Sequence, residues 1–225
     1  MTGPGKPRGS KVLIAVAAVA AISALAAWWW TGREPSPTLA KAPEPTIRLL
    51  SQSQYVSTIA QIFGSDIQVK VRFAPVRRDE GLVGVGASSA VLTSGGLDPL
   101  EAAGRSVAEQ VVAPERRGFL IPCVPANAKE RDDKCAREFF TVAGRLLYRR
   151  PLMKTEIERV VDTAGTAVGP AGDFYAGLAY ALSGMLVSPD FLFIRERAEP
   201  DPRTSGSWRL DAYSKASRLS FAALP

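Results

Sequence analysis

Residues 135–152 read CAREFFTVAGRLLYRRPL, and the fold is decided by how this stretch is taken. Cys135, Phe139, Val142 and Leu146 recur at helical spacing and share one face, and Pro151 closes the helix because it has no N–H to continue the ladder. The helix is predicted to begin near Lys129. Upstream lies a loop that carries Cys123 between Pro122 and Pro125. Downstream, the periodicity of Ile157, Val160, Val161 and Ala164 predicts a second amphipathic helix over Thr155 to Val168, stopped by Gly169-Pro170. Asp173 is placed to cap a third helix with Leu178, Leu182 and Met185 on one face, ending before Ser188-Pro189. A dense apolar patch, Phe191 to Ile194, follows. Asp211 caps a last helix with Tyr213, Ala216 and Leu219 on its apolar side.

Toward the N-terminus the pattern stays helical. Ser51 or Ser53 can cap a helix through Tyr55, Ile59, Ile62 and Phe63 that Gly64 stops. Ile67, Val69, Val71 and Phe73 then alternate with Gln68, Lys70 and Arg72, a short strand-like pattern. Gly81 to Gly96 reads as an irregular glycine- and serine-rich loop. Asp98-Pro99-Leu100-Glu101 has the form of a helix start, with Asp at the cap and Pro at the first helical position. That helix would place Leu100, Ala103, Val107 and Val111 on one face and end at Pro114.

The first 46 residues differ in kind. Val12 to Trp30 is a run of nineteen residues without charge or proline, and as a helix it would span about 28 Å, close to the hydrocarbon thickness of a bilayer. Three indoles end it, Trp28, Trp29 and Trp30, and Lys6, Arg8 and Lys11 precede it without an acidic residue among them. The positive-inside rule puts the tail in the cytoplasm and everything after Trp30 outside the plasma membrane. A cleaved signal peptide is the competing reading, through Ala24-Leu25-Ala26, with a new N-terminus at Ala27. Residues 31–46 hold Pro35, Pro37, Pro43 and Pro45 and read as an extended spacer.

Composition narrows the chemistry. The 225-residue chain contains no His, which excludes Ser-His-Asp and Cys-His catalysis, His-ligated zinc and a covalent c-type haem motif. Of its formal charge of +6, half sits in the first eleven positions, so the basicity is a topology signal and no nucleic-acid partner is expected. Cys123 and Cys135 are the two cysteines, twelve positions apart. A disulfide suits an oxidising compartment and would contribute about 3 kcal/mol in the loop-entropy estimate. The alternatives are a redox pair or a two-thiolate metal site, but the spacing is not C-x-x-C and no His or further Cys completes a ligand shell. Gly84-Val85-Gly86-Ala87-Ser88-Ser89 lacks the third glycine of a dinucleotide loop. The surroundings of Ser183 and Ser188 fail the G-x-S-x-G pattern. Asp132-Asp133 and Glu156-x-Glu158 are candidate acid/base pairs that read more simply as solvated helix faces. Arg145, Arg149 and Arg150 form the densest basic cluster, suited to a helix C-terminus or to clamping carboxylates. No catalytic residue, cofactor site or metal site is assigned.

Four stretches, in order, carry a resemblance. They are Arg48 to Tyr55 with Ile62-Phe63-Gly64; Ala102-Ala103 with Val107-Ala108; Cys123 and Pro125 with Cys135-Ala136-Arg137 and Ala143 to Leu152; and Met185 to Phe193 followed by Leu210 to Tyr213 and Ala216 to Phe221. Together they resemble the serial domains of unknown function found in large extracytoplasmic proteins of planctomycetes and some proteobacteria, which often travel with c-type cytochrome domains. The resemblance covers about residues 47 to 221 and implies an exported helical protein with its cysteines paired, and a c-type cytochrome or other extracytoplasmic proteins as partners. It supplies no catalytic residues. Departures are the Gly81 to Gly96 loop, Met153 where a capping Thr is common, and Asp190 where the family has His. The family pattern runs on past the equivalent of Phe221, so the chain reads as the N-terminal part of a longer protein, truncated by a frameshift or early stop.

The expectation is therefore a mainly α chain with one N-terminal transmembrane helix, a Pro-rich linker and several short amphipathic helices packed as small modules, plus one short strand-like segment. Its divisions are a basic tail (1–11), an anchor (12–30), a linker (31–46), a first helical module (47–115), a disulfide-bearing module (116–170) and a third module (171–225). In the plasma membrane, N-in, it would act as a tethered interaction or scaffold module. The rival is part of a carboxylate-dependent extracytoplasmic hydrolase completed by further domains, and a third reading is a product without stable function.

Overall fold

Helix caps and apolar stripes account for most of the architecture of the computed structural model, which describes residues 46–73 and 94–223. The anchor over Val12 to Trp30, its signal-peptide alternative, the linker up to Pro45 and the glycine-rich loop up to residue 93 lie outside the described residues. No helix among the described residues is long and apolar enough to cross a membrane.

Chain entry is a three-residue strand, β1 (Ile47–Leu49), followed by α1 (Gln52–Phe63). Ser51 caps α1 reciprocally: its Oγ accepts the Gln54 N–H at 3.2 Å and Gln54 Oε1 accepts the Ser51 N–H at 3.1 Å. Gly64 ends the helix at φ 101, a conformation a Cβ would strain. Past it, the strand expected over Ile67 to Phe73 does not form. The alternation is kept, with Ile67 and Val71 buried, but the ladder position is taken by a side chain. Gln110 Oε1 accepts the Gln68 N–H at 2.8 Å and its Nε2 donates to the Gln68 carbonyl at 2.9 Å, so one amide satisfies what a neighbouring strand would otherwise supply.

Gln110 belongs to α2 (Ser94–Val112), whose buried face holds the expected Leu100, Ala103, Val107 and Val111. The start predicted at Asp98 is corrected: α2 is already helical at Ser94 and runs through Pro99. This close to the described start, the missing proline N–H forfeits one ladder bond, that to Gly95. Pro114, expected as a stop, opens an unforeseen seven-residue helix, α3 (Pro114–Leu120), at its N1 position. None of the α3 residues is buried, so the helix has no apolar period to betray it.

α4 (Asp133–Leu147) starts four residues after the predicted Lys129, because Asn127 to Glu130 form a turn. The Lys129 N–H bonds Asn127 Oδ1 at 2.9 Å, and Asp132 Oδ1 then caps the helix on the Cys135 N–H at 2.9 Å. Its buried stripe is Cys135, Ala136, Phe139, Phe140, Ala143, Gly144 and Leu147. The expected face is thus rotated. The adjacent phenyl rings of Phe139 and Phe140 both go inside, which leaves Val142 and Leu146 on an exposed flank. α5 (Lys154–Ala171) buries the expected Ile157, Val160, Val161 and Ala164, but continues through Gly169-Pro170 and ends at Gly172 with φ 106. Pro170 falls in the last turn, where a lost bond costs least. α6 (Phe174–Leu186) is capped as expected, Asp173 Oδ1 accepting the Ala176 N–H at 2.8 Å.

Ser188 caps the single turn α7 (Pro189–Leu192). From there β2 (Phe193–Arg195) returns to pair antiparallel with β1, Ile47 opposite Arg195 and Leu49 opposite Phe193. β3 (Ala198–Pro200) pairs with β4 (Trp208–Leu210) in a separate ribbon. Asp211 Oδ1 caps α8 (Ala212–Ala223) on the Ser214 N–H at 2.7 Å. Its predicted apolar side is also corrected: Ser214 and Phe221 face inward, while Tyr213, Ala216 and Leu219 are exposed. The described residues thus hold eight helices and two small ribbons. One hydrophobic cluster links Leu49 to Phe221, with Tyr55, Phe139, Phe140, Phe174 and Phe191 at its centre.

Candidate binding site

The turn after α4 organises the polar part of the molecule. Arg149 sits at φ 56, in the left-handed region that costs a side-chain-bearing residue about 1–2 kcal/mol. Its guanidinium offsets that cost. Nη2 donates to the carbonyls of Asp190, Phe191 and Phe193 at 3.1, 2.8 and 3.1 Å; the first two are oxygens that the one-turn α7 cannot satisfy within itself, and the third begins β2. The rings of Phe191 and Phe221 each lie 5.9 Å from the guanidinium carbon. Burial, reinforced by the nearby positive Arg48, pulls the Arg149 pKa down to about 10, so it stays charged at neutral pH. Its Nη1 is buried without a partner among the described residues.

Arg150 faces the other way. Nη1 and Nη2 grip Glu156 Oε2 and Oε1 at 2.8 Å each, and Nη2 also reaches Asp190 Oδ1 at 3.3 Å. Glu156 Oε2 in turn accepts the Met153 N–H at 2.7 Å, so Met153 opens α5 without a capping side chain of its own. The Arg150 hydrogen bonds hold Glu156 below the usual carboxylate range against the upward push of burial. Arg195 closes the group on Asp190 Oδ1 at 3.2 Å. A second node lies nearby. Burial alone would raise the pKa of Glu196, but Arg218 and both the N–H and Oγ1 of Thr46, at 2.9 Å each, bring it below the usual value.

Two depressions meet over these residues. A polar cleft of about 290 Å³ is lined by Tyr148, Arg150, Asp190, Arg195, Arg197 and Asp211 among others. A shallower groove of about 580 Å³ runs between α1, α4 and α8, past Ile62, Arg145, Leu146, Ala216 and Phe221. Arg149, Arg150, Tyr213 and Ser217 border both. A third hollow of about 650 Å³, between α2, α3 and α6, is walled by Tyr175 and Tyr180, with Arg117 stacked 4.2 Å from the Tyr175 ring.

The residues singled out from sequence fall as follows. Cys123 and Cys135 form a disulfide with Cα atoms 5.5 Å apart, which ties the proline-flanked loop to the first turn of α4 and occupies both sulfurs. Each candidate acid/base carboxylate already has a structural task. Asp132 caps α4, Asp133 pairs with Arg131 at 2.9 Å, Glu156 is held by Arg150, and Glu158 faces Lys154 at 3.9 Å. Ser183 Oγ donates to the Tyr180 carbonyl, and Ser188 caps α7. Gly84 to Ser89 lie outside the described residues. No group of three His, Cys, Asp or Glu able to hold a metal ion occurs among the described residues. Asp190, Arg195, Glu196 and Arg218 were not foreseen as a cluster. Arg218 and Glu196 are twenty-two positions apart and Thr46 is 150 from Glu196, so no local spacing signals them.

Residues 135–196 match the model of a family described as PSD5, a protein of unknown function (DUF1595). The matched stretch runs from the second cysteine to Glu196 and contains the Arg149, Arg150, Glu156 and Asp190 cluster. No curated protein and no solved structure matches the chain.

Proposed function

We propose that the chain is a membrane-tethered extracytoplasmic interaction module. The basic tail and the apolar run over Val12 to Trp30 anchor it N-in, the prolines of residues 31–46 space it from the bilayer, and the helical body presents a binding face. The observation that carries a binding role is the state of the enclosed carboxylates. Glu156 and Glu196 are both hydrogen-bonded to arginines and held below the usual range, whereas a general acid working near neutral pH needs its pKa raised. That weighs against a carboxylate-dependent hydrolase. The Cys123–Cys135 disulfide supports an oxidising compartment, and a partner drawn from c-type cytochromes or other extracytoplasmic proteins follows from the family resemblance.

The test uses the full chain in bacterial membranes. It should resist alkaline carbonate extraction, be digested by protease added to spheroplasts, and take up maleimide-polyethylene glycol at two cysteines only after reduction. Release by carbonate together with an intact mass beginning at Ala27 would replace the anchor by a cleaved signal. Protection from external protease would overturn the outward orientation.

A further inference from the structure

We infer that the groove between α1, α4 and α8 docks an acidic amphipathic helix from a partner protein. This rests on the interaction-module reading and specifies the chemistry of its partner. Two helices leave apolar side chains uncovered beside this one groove. On α4, Val142 is 59% and Leu146 48% exposed; on α8, Tyr213 is 47% and Leu219 72% exposed. Leu146 and Tyr213 line the groove with Ile62, Ala216 and Phe221, while Val142 lies one turn before Leu146 and Leu219 one turn beyond Ala216. Such a track suits the i, i+3, i+4, i+7 stripe of a helix laid into it.

Charge selects the occupant. The charged residues lining the groove are Arg145, Arg149 and Arg150, with no carboxylate among the lining residues. Arg149 and Arg150 are engaged by carbonyls and carboxylates, but exposed Arg145 makes no ion pair among the described residues. The adjoining cleft shares Arg149 and Arg150 and adds Arg195 and Arg197 against Asp190 and Asp211, so it leaves the positive surplus of the groove undiminished. A second copy of this chain would be a poor occupant. In a two-fold pair the same patch meets itself, which brings arginine to arginine. A partner helix with carboxylates flanking its apolar stripe satisfies both the apolar and the basic parts of the surface.

The experiment takes the full chain in phosphatidylcholine nanodiscs, with empty nanodiscs as the control. The probe is a fluorescein-labelled helical peptide of fifteen residues bearing a leucine stripe flanked by glutamates, and its counterpart has lysine at every glutamate position. Fluorescence anisotropy should show saturable binding of the glutamate peptide at least about tenfold tighter than the lysine peptide, weakening as salt rises. Arg145→Glu should reverse the preference, and Leu146→Asp should cut binding about tenfold. Both residues are exposed but sit in the last turn of α4, where a carboxylate opposes the helix dipole, so the melting temperature should fall by only a few degrees and leave the chain folded at the assay temperature. Equal binding of the two peptides, no binding of the glutamate peptide, or indifference to both substitutions overturns the inference. So does a dimer, seen by mass photometry, that Leu146→Asp splits, since that assigns the face to a second copy. Because peptide binding does not require the anchor, this result can fail while the protease and carbonate tests succeed, and the reverse.

Discussion

Arg150 holds two half-buried carboxylates with one guanidinium, and its removal would leave Glu156 and Asp190 facing each other without a counter-charge. Arg150→Ala should destabilise by about 3 kcal/mol, the lower end of the range for breaking a buried pair because some solvent reaches the site. Adding Glu156→Ala should recover part of that loss, read as a coupling energy from urea denaturation of the single and double variants. The exposed Arg105–Glu101 pair is the contrast: Arg105→Ala should stay within about 0.5 kcal/mol of the parent. Legibility divides along the same line. Ser51, Asp173 and Asp211 announce their capping roles because a cap acts on a backbone N–H two or three residues away. Arg149 does not announce its role, since its partners are three main-chain carbonyls some forty residues distant that carry no side-chain signature.

Elements were readable where their apolar stripe is wide and their ends are marked. α1 buries the expected Tyr55, Ile59 and Phe63, α5 the expected Ile157, Val160, Val161 and Ala164, and α6 the expected Leu178, Leu182 and Met185, although Ile62 of α1 is only partly buried and α5 runs past its expected stop. The stripes of α4 and α8 were misplaced for one physical reason: both helices carry apolar residues on more than one side, and periodicity cannot say which side the core takes. The four strands among the described residues, of three residues each, are too short to alternate. α5 and α6 approach tightly at Gly177 of α6, where a Cβ would stand 2.6 Å from the Ala164 carbonyl oxygen of α5. Backbone cannot give way there as a flexible side chain would. Gly177→Ala should therefore cost about 2–3 kcal/mol despite the better helix propensity of alanine. Gly184→Ala on the same helix meets nothing within 4 Å and should be neutral or slightly stabilising, with thermal melts of the two variants as the comparison.

At the scale of the whole molecule, the paired carboxylates set the response to acid. Glu156 and Glu196 titrate below their usual 4.5 in the folded state. A depressed folded pKa contributes stability above the unfolded value and loses it as the pH falls through the folded one. Unfolding free energy should thus be insensitive to these two groups from neutral pH to about pH 5, and should drop progressively below about 4.5. Urea titrations at pH 7, 5, 4 and 3 would show it. Glu196→Gln should flatten the acid limb, and a limb left as steep in that variant would count against the assignment. The disulfide does not titrate and should leave this profile unchanged under oxidising conditions.

Glu196 has one more consequence, a mechanical one. The chain enters the helical body at Thr46, and the first groups it meets are this buried carboxylate and the β1–β2 ladder, not the fraying end of a helix. Glu196 is also gripped by Arg218 of α8. A pull applied at Thr46 is therefore shared at once between the β1–β2 pair and α8, so that segments far apart in the sequence carry it together. The helical body can be loaded at Thr46 without peeling from one end, and the load reaches α8, a wall of the groove, directly through Arg218.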